Sequence, residues 1–293
     1  MAELLKGAPI AKELYGGFMK LSDDLKKKGI FPLLRIIIAS DDPAIETYSS
    51  MIVKNCVKAG ILSEKKMLGA ETSDADILGL ISESNSDGSV HGIIVMLPLW
   101  KQLNEKKILE AISPLKDIDG VNPYNAGKTV LGEHSFTPNT AQACIDILLK
   151  SGIVLSGKHV VIIGRSNIVG KPLANMLIQK GVDATVTVCH SRTQNLKEIC
   201  RTADILVAAI GSPKFITKEF TNPEQVIVDV GMNEIKLPDG TSKLVGDVDF
   251  DNVKDHVKAI TPVPGGVSPL THTALLENLF KAVKHQINEQ NIQ

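Results

Sequence analysis

A glycine-containing segment that follows a short apolar run has the residue types of a phosphate-binding turn. The run from His159 to Ile163 predicts a strand, and Gly164-Arg165-Ser166-Asn167-Ile168-Val169-Gly170-Lys171-Pro172 follows it. Gly164 permits a tight turn, and Gly170 permits close packing of a helix on the strand. Backbone amides at the start of such a helix attract anions. The candidate cofactor-binding residues of this turn are Gly164, Arg165, Ser166, Ile168, Val169 and Gly170.

The segment after the next predicted strand indicates which phosphate-bearing cofactor would fit. An NAD site usually has an Asp or Glu here, which binds the ribose hydroxyls. This chain has Cys189-His190-Ser191-Arg192-Thr193 and no acid. Ser191 and Arg192, together with Arg165, suit a 2′-phosphate, because guanidinium groups bind phosphate strongly. The sequence therefore predicts NADP. The alternative is a structural strand–helix turn with Arg192 as a solvated surface residue.

A parallel sheet is needed to bring these two segments together. Short apolar runs alternate with helical patterns in the second half, and 33–39 and 92–97 predict buried strands in the first half. This order predicts an α/β protein with a Rossmann-type, doubly wound parallel-sheet domain. Asp42 and Pro43 predict the start of a helix. The polar stretch 116–128 is interpreted as a loop.

The composition narrows the class of protein. A chain of 293 residues favours two domains. Only 4% of its residues are aromatic, so the cores must be built from Ile, Val, Leu and Ala. This composition suits parallel sheets that are covered by helices. The formal charge of −1 provides no field for nucleic acid or anionic membranes. The N-terminus lacks a signal-peptide pattern, and no apolar run approaches a membrane span. The cysteines and histidines lack metal-site spacing, so we expect a cytoplasmic protein without a metal.

Other segments carry a resemblance to a known family. They are Lys116 to Gly120, Pro123-Tyr124-Asn125, Asp229 to Asn233, Gly246-Asp247-Val248 and the tail Thr261-Pro262-Val263-Pro264-Gly265-Gly266-Val267-Ser268-Pro269-Leu270-Thr271. With the turn at 164–172, they resemble the bifunctional methylenetetrahydrofolate dehydrogenase/methenyltetrahydrofolate cyclohydrolase family over nearly the whole chain. The resemblance implies a folate-binding catalytic domain (1–148 and 271–293) and an NADP-binding Rossmann domain (149–270). It also implies a homodimer with a tetrahydrofolate derivative as substrate.

The resemblance also assigns substrate-binding positions. Tyr48 and Asp119 match positions that the family uses at the folate, and a carboxylate can accept two hydrogen bonds from the N–H groups of a pterin. The segment Pro264, Gly265, Gly266 and Val267 is expected to line the junction of nicotinamide and folate. Each assignment has a structural alternative: packing for Tyr48, an Asp-Gly turn for Asp119, and a turn that feeds the last helix.

The first domain departs from the family pattern at three positions. The family's helix reads Pro-Ala-Ser-x-x-Tyr-x-x-x-Lys, whereas this chain has Ile45 at the serine and Ile52 at the catalytic lysine. Met96 stands at the family's active-site glutamine. Ile45, Tyr48 and Ile52 follow i, i+3, i+7 spacing and share one helix face. Lys54 lies about 200° around the helix from Ile52, so it cannot simply take the lysine's place.

The two family reactions need different groups. Oxidation of 5,10-methylenetetrahydrofolate to 5,10-methenyltetrahydrofolate moves a hydride without a proton transfer, so positioning supplies most of the catalysis. Hydrolysis of the methenyl compound needs a general acid/base, which Ile52 and Met96 cannot supply. The sequence predicts an NADP-dependent dehydrogenase with little or no cyclohydrolase activity. Two alternatives stay open: a fully bifunctional enzyme that uses another group, such as Lys54, and a non-catalytic or repurposed NADP-binding descendant.

Overall fold

The computed structural model describes residues 2–133, 135–237 and 240–290, with side chains described as far as residue 287. The chain divides into two compact units. The six-stranded unit consists of Met1–Lys12 and Pro138–Thr271, and the three-stranded unit consists of Glu13–Thr137 and His272–Gln293. Both sheets are parallel, so the predicted α/β class is confirmed. The functional domain boundaries at 148/149 and 270/271 stay a prediction.

The elements have the following bounds. The strands are β1 Glu3–Leu4, β2 Leu33–Ile38, β3 Leu62–Met67, β4 Gly92–Val95, β5 His159–Ile163, β6 Thr185–Cys189, β7 Ile205–Ala208, β8 Val226–Asp229, β9 Asn233–Lys236, β10 Ser242–Val245 and β11 Ala259–Ile260. The helices are α1 Gly7–Lys27, α2 Pro43–Lys58, α3 Asp74–Ser86, α4 Glu105–Ala111, α5 Pro123–Leu131, α6 Asn139–Lys150, α7 Gly170–Leu177, α8 Leu196–Arg201, α9 Phe250–Val253 and α10 Ser268–Gln290. A 3-10 turn covers Lys218–Phe220.

The three-stranded sheet has the order β3-β2-β4, with β2 in the centre. Successive side chains of a strand point to opposite faces, and both faces of β2 are covered here. Leu34 and Ile36 enter one apolar cluster, while Ile37 enters another. This double burial explains why β2 reads as an almost continuous apolar run.

Helix α2 begins as its sequence predicts. The Oδ1 atom of Asp42 accepts a hydrogen bond from the amide of Ala44 at 2.8 Å, and Pro43 occupies the first helical position. The cap sets where α2 begins, and the apolar side chains decide which face of it is buried. Ile45, Ser49, Ile52, Asn55 and Cys56 form that buried face.

The six-stranded sheet has the order β1-β11-β8-β7-β5-β6, and β9 and β10 form a separate antiparallel hairpin. The chain passes from β5 to its neighbour β6 and then to β7 on the other side of β5. The strand order therefore reverses at β5, and a doubly wound sheet binds its ligand outside the carboxyl ends of the strands at such a reversal.

The interpretation of 116–128 as a loop is wrong in its second part. Helix α5 begins at Pro123, and the Oδ1 atom of Asn122 caps it by accepting the Tyr124 amide at 2.9 Å. The cap residue and the following proline are ordinary helix-start signals. The high polarity of this stretch concealed them.

The loop before α5 is held by a buried side chain of α10. The Nδ2 atom of Asn278 donates to the carbonyl oxygens of Ile118 at 3.0 Å and Thr137 at 2.9 Å. Replacing Asn278 with Ala should lower the free energy of unfolding by about 1–3 kcal/mol, because buried carbonyls lose their partner. Urea denaturation measures this change. Lys284→Ala, at an exposed position of the same helix, is the control, and an equal loss in both variants would contradict the assignment.

Candidate functional site

The turn after β5 lies where the strand order reverses. Gly164 has φ +132°, and a Cβ on it would collide with the carbonyl of Ala209. A Cβ on Gly170 would collide with the carbonyl of Gly164 and would lie 3.1 Å from the Cα of Arg165. Glycine is thus required at both positions by close backbone approach. The cradle fits the diphosphate of a dinucleotide, which needs this approach and the start of helix α7.

The remaining residues of the turn face outwards. Arg165, Ser166 and Ile168 are exposed, and Val169 is half-buried. The Oγ atom of Ser166 accepts a hydrogen bond from the amide of Val169 at 3.1 Å. The hydroxyl proton of Ser166 and the guanidinium of Arg165 are therefore placed on the solvent side of the turn, where an anion has access.

The second predicted cofactor segment follows β6, directly beside the turn. Ile163 pairs with Cys189, and the amide of Gly164 donates to the carbonyl of Cys189 at 2.9 Å. Ser191 and Arg192, just after β6, are exposed. The parallel register thus brings together the two segments that carry the candidate 2′-phosphate ligands.

Asp247 organises the loop after β7, a role that the sequence interpretation missed. Its carboxylate accepts hydrogen bonds from the amides of Ile210 at 2.6 Å and of Gly211 and Ser212 at 3.0 Å each. It is fully buried, as an interior carboxylate with several donors can be. The only signal was its place in the Gly246-Asp247-Val248 motif.

The other candidate site, in the three-stranded unit, is the Tyr48 pocket, defined here by Tyr48, Asp119, His272 and the apolar side chains Ile45, Ile52 and Met96. Ile52 has 0% of its surface exposed, and Ile45 and Met96 have 4% each. All three belong to one apolar core cluster. Tyr48 keeps 36% of its surface exposed. The apolar side chains therefore occupy the buried side of α2, next to a tyrosine that solvent can reach.

Desolvation and a neighbouring charge act on the tyrosine. Burial raises the pKa of the Tyr48 phenol, and the Asp119 carboxylate raises it further. Tyr48 is therefore a neutral hydrogen-bonding group near a carboxylate. Tyr48 and Asp119, two of the predicted substrate-binding residues, are therefore close enough to interact electrostatically.

The loop that carries Asp119 is built on a different carboxylate. Asp117 is fully buried and accepts hydrogen bonds from the Asn122 amide and the Asn125 Nδ2 atom, both at 2.9 Å. Burial raises the pKa of Asp117 to about 7, although these hydrogen bonds lower it. Asp117 therefore has a structural role, and Asp119 remains half-buried at the surface of the loop.

His272 is a site residue that the sequence interpretation did not single out. Its ring centroid lies 5.3 Å from that of Tyr48, with an angle of 33° between the ring planes. The side chain is 7% exposed, and its Nδ1 atom is buried with no hydrogen-bond partner among the described residues. Burial lowers the pKa of His272 to about 4, and the Lys58 charge contributes to this. No spacing rule links His272 to Tyr48, because their contact is long-range.

The predicted segment Pro264 to Val267 lies in the six-stranded unit. Gly265 has φ +104°, and the Val263–Pro264 peptide is cis. A Cβ on Gly266 would lie 2.7 Å from the Pro262 carbonyl oxygen. The segment is therefore a tight turn that leads into α10, as the structural alternative states, and its role at the folate stays a prediction.

Two further properties of the described residues concern metal binding and membrane insertion. No three of their His, Cys, Asp and Glu side chains are grouped so that they could hold a metal ion. No helix in the same ranges is both long and apolar enough to span a membrane.

A doubly wound sheet with a glycine turn at its reversal point defines a dinucleotide-binding α/β protein. Family models match both parts of the chain: the catalytic domain of tetrahydrofolate dehydrogenase/cyclohydrolase matches residues 5–119, and its NAD(P)-binding domain matches residues 138–287. The chain belongs to the tetrahydrofolate dehydrogenase/cyclohydrolase family. The resemblance predicted from the sequence is confirmed, and so is a nicotinamide-cofactor domain.

Individual relatives are similar to this chain over nearly their full length. The bifunctional protein FolD of Geotalea uraniireducens is 44% identical over 98% of this chain and 100% of its own length. The crystal structure of the bifunctional FolD methylenetetrahydrofolate dehydrogenase/cyclohydrolase from Campylobacter jejuni has a TM-score of 0.93 and 40% identity, covering 97% of this chain and 99% of its own. The methylenetetrahydrofolate dehydrogenase–cyclohydrolase of Trypanosoma brucei, solved with NADP and an inhibitor, has a TM-score of 0.92 and 32% identity, covering 98% of each chain.

Gly170 provides a test of the turn. Replacing Gly170 with Ala places a Cβ against backbone atoms, and such overpacking costs about 1–3 kcal/mol. Strain that opens the turn should weaken NADP binding by roughly tenfold or more, measured by titration. Gly79→Ala in α3, where a Cβ has open space, should leave binding unchanged. Normal NADP affinity in the Gly170 variant would contradict the role of the turn.

Proposed function

We propose that this chain is an NADP-dependent methylenetetrahydrofolate dehydrogenase with little or no methenyltetrahydrofolate cyclohydrolase activity. The observation that carries the proposal is the composition of the Tyr48 pocket. Ile52 and Met96, at the positions of the family's lysine and glutamine, are buried in one apolar cluster together with Ile45. Neither side chain can donate or accept a proton.

The dehydrogenase step needs little from the protein besides positioning. Bound oxidised NADP would supply the acceptor for the hydride that leaves the methylene carbon of the folate. Gly164 and Gly170 leave room for the diphosphate, and Arg165, Ser191 and Arg192 supply the groups for the 2′-phosphate. Tyr48 and Asp119 orient the folate through its ring system and N–H groups. Orienting two reactants in this way accounts for a large share of the barrier reduction in such a transfer.

The hydrolytic step needs a group that moves a proton. Lys54 is the lysine of α2 nearest to Ile52 in sequence, but its side chain is exposed whereas Ile52 is buried, so the two occupy different faces. The relatives, which are named bifunctional proteins, favour retained hydrolysis as the second candidate function. The apolar side chains of Ile45, Ile52 and Met96 favour dehydrogenase activity without cyclohydrolase activity.

The proposal includes a cytoplasmic homodimer. The homodimer follows from the resemblance to the family. All four cysteines are free and buried, which suits a reducing compartment.

A comparison of NADP with NAD tests the assignment of Arg165 and Arg192 to the 2′-phosphate. Replacing both Arg165 and Arg192 with Ala should weaken NADP binding far more than NAD binding, because only NADP carries the extra phosphate. Isothermal titration with both cofactors measures the ratio of the dissociation constants. Lys180→Ala, at another exposed cation of the same unit, is the control. An equal loss for both cofactors, or tighter NAD binding by the wild type, would refute the assignment.

Restoring the family residues tests the hydrolytic part. The double change Ile52→Lys with Met96→Gln should raise cyclohydrolase activity, because a general acid/base contributes about 10²–10⁴-fold. Adding Ile45→Ser should raise it further, because a hydroxyl near the new ammonium offsets the desolvation that disfavours its charged form. The measurement is the loss of the methenyl absorbance, corrected for uncatalysed hydrolysis.

Met51→Lys with Met96→Gln is the matched control for that experiment. Met51 is on the same helix but 44% exposed, so the added lysine does not enter the pocket, and no gain is expected. A cooperative thermal unfolding transition confirms that each variant is folded. If the wild type hydrolyses the methenyl compound as fast as it forms it, the argument from Ile52 and Met96 is wrong. If it reduces no NADP with methylenetetrahydrofolate, the dehydrogenase proposal is wrong.

A further inference from the structure

The Tyr48 pocket holds one buried polar atom that the proposed mechanism does not use. The Nδ1 atom of His272 has no hydrogen-bond partner among the described residues, and only 7% of the surface of His272 is exposed. An unpaired buried polar group is destabilising. Such a group needs an explanation, and a ligand that supplies the missing partner is one.

The position of His272 points to the folate as that ligand. Its ring packs on Tyr48 with centroids 5.3 Å apart, and the Asp119 carboxylate raises the pKa of Tyr48. His272 therefore lies close to the two residues assigned to the substrate, and it is the first residue of α10 that belongs to the three-stranded unit.

We propose that His272 is a substrate-binding residue whose Nδ1 atom forms a hydrogen bond to the reduced pterin ring system, alongside Tyr48 and Asp119. The inference rests on the proposed function, because the ligand is the folate of that reaction. It assigns a polar contact to a pocket in which Ile45, Ile52 and Met96 offer none.

The imidazole acts as a neutral group in this role. Burial and the Lys58 charge lower the pKa of His272 to about 4, so at neutral pH the ring carries one proton shared between two tautomers. With that proton on Nε2 the Nδ1 atom accepts a hydrogen bond, and with it on Nδ1 the atom donates one. Either tautomer can complement a pterin, which presents both ring nitrogens and N–H groups.

Two substitutions separate this role from simple packing. His272→Phe keeps an aromatic ring against Tyr48 but removes the polar atom, whereas His272→Asn keeps a polar atom near the Nδ1 position but removes the ring. A packing role predicts that Phe is the better replacement. A ligand-binding role predicts that Asn is the better replacement for affinity, and that Phe raises the melting temperature because an unpaired polar atom is lost.

The experiment measures binding of 5-formyltetrahydrofolate, an air-stable reduced folate, and of NADP to the full-length wild type and both variants. His272→Phe should weaken folate binding roughly tenfold or more, by the loss of one hydrogen bond to a buried atom, with NADP binding unchanged. His272→Asn should bind folate within about threefold of the wild type. The Michaelis constant for methylenetetrahydrofolate should follow the folate affinities.

The other outcomes overturn one or both proposals. If the wild type binds folate and His272→Phe binds it equally well, the His272 assignment fails while the dehydrogenase proposal stands. If both variants lose folate affinity and thermal stability together, His272 is structural and the assignment fails. If the wild type binds no reduced folate, the proposed function fails and the assignment fails with it.

Discussion

Exclusion of water from one face of α2 is the constraint on which the Tyr48 pocket depends. Ile52 has no exposed surface, and Ile45 and Met96 have 4% each. An ammonium placed in such surroundings without partners costs several kcal/mol or loses its proton. A lysine at 52 is therefore compatible with this pocket only if polar side chains accompany it. On the proposed function, this coupling accounts for apolar side chains at all three of positions 45, 52 and 96 rather than at one alone.

The constraint on α2 does not apply to the cofactor turn, because the shape of the turn depends on backbone contacts rather than on side-chain polarity. Gly164 and Gly170 are required by contacts with carbonyl groups, and the register of β5 with β6 places Arg192 beside the turn. The turn and the Tyr48 pocket belong to separate compact units.

Some elements of the fold could be predicted from the sequence, and others could not. Strand β2 was evident because both of its faces are covered. Strand β3 was missed, because its partly exposed side chains Glu64 and Lys66 pair with charges, including the buried Arg35 of β2, instead of forming an apolar run. The capped start of α2 at Asp42 was predicted from local chemistry, whereas the capped start of α5 at Pro123 was missed. His272 was not predictable, because its importance arises from a contact with Tyr48 that only the folded chain creates.

The two reactions of the family place different electrostatic demands on one pocket. Hydride removal leaves a cationic methenyl product, and hydrolysis of that product calls for a protonatable base close to it. A base that becomes an ammonium also repels the cation. On the proposed function, Ile52 removes both the base and the repulsion, and the neutral imidazole of His272 adds a polar contact without adding charge. The Asp119 carboxylate then remains as the charged group assigned to the folate, and its sign favours the cationic product. A pocket of this kind is therefore suited to forming and holding the methenyl cation rather than to consuming it.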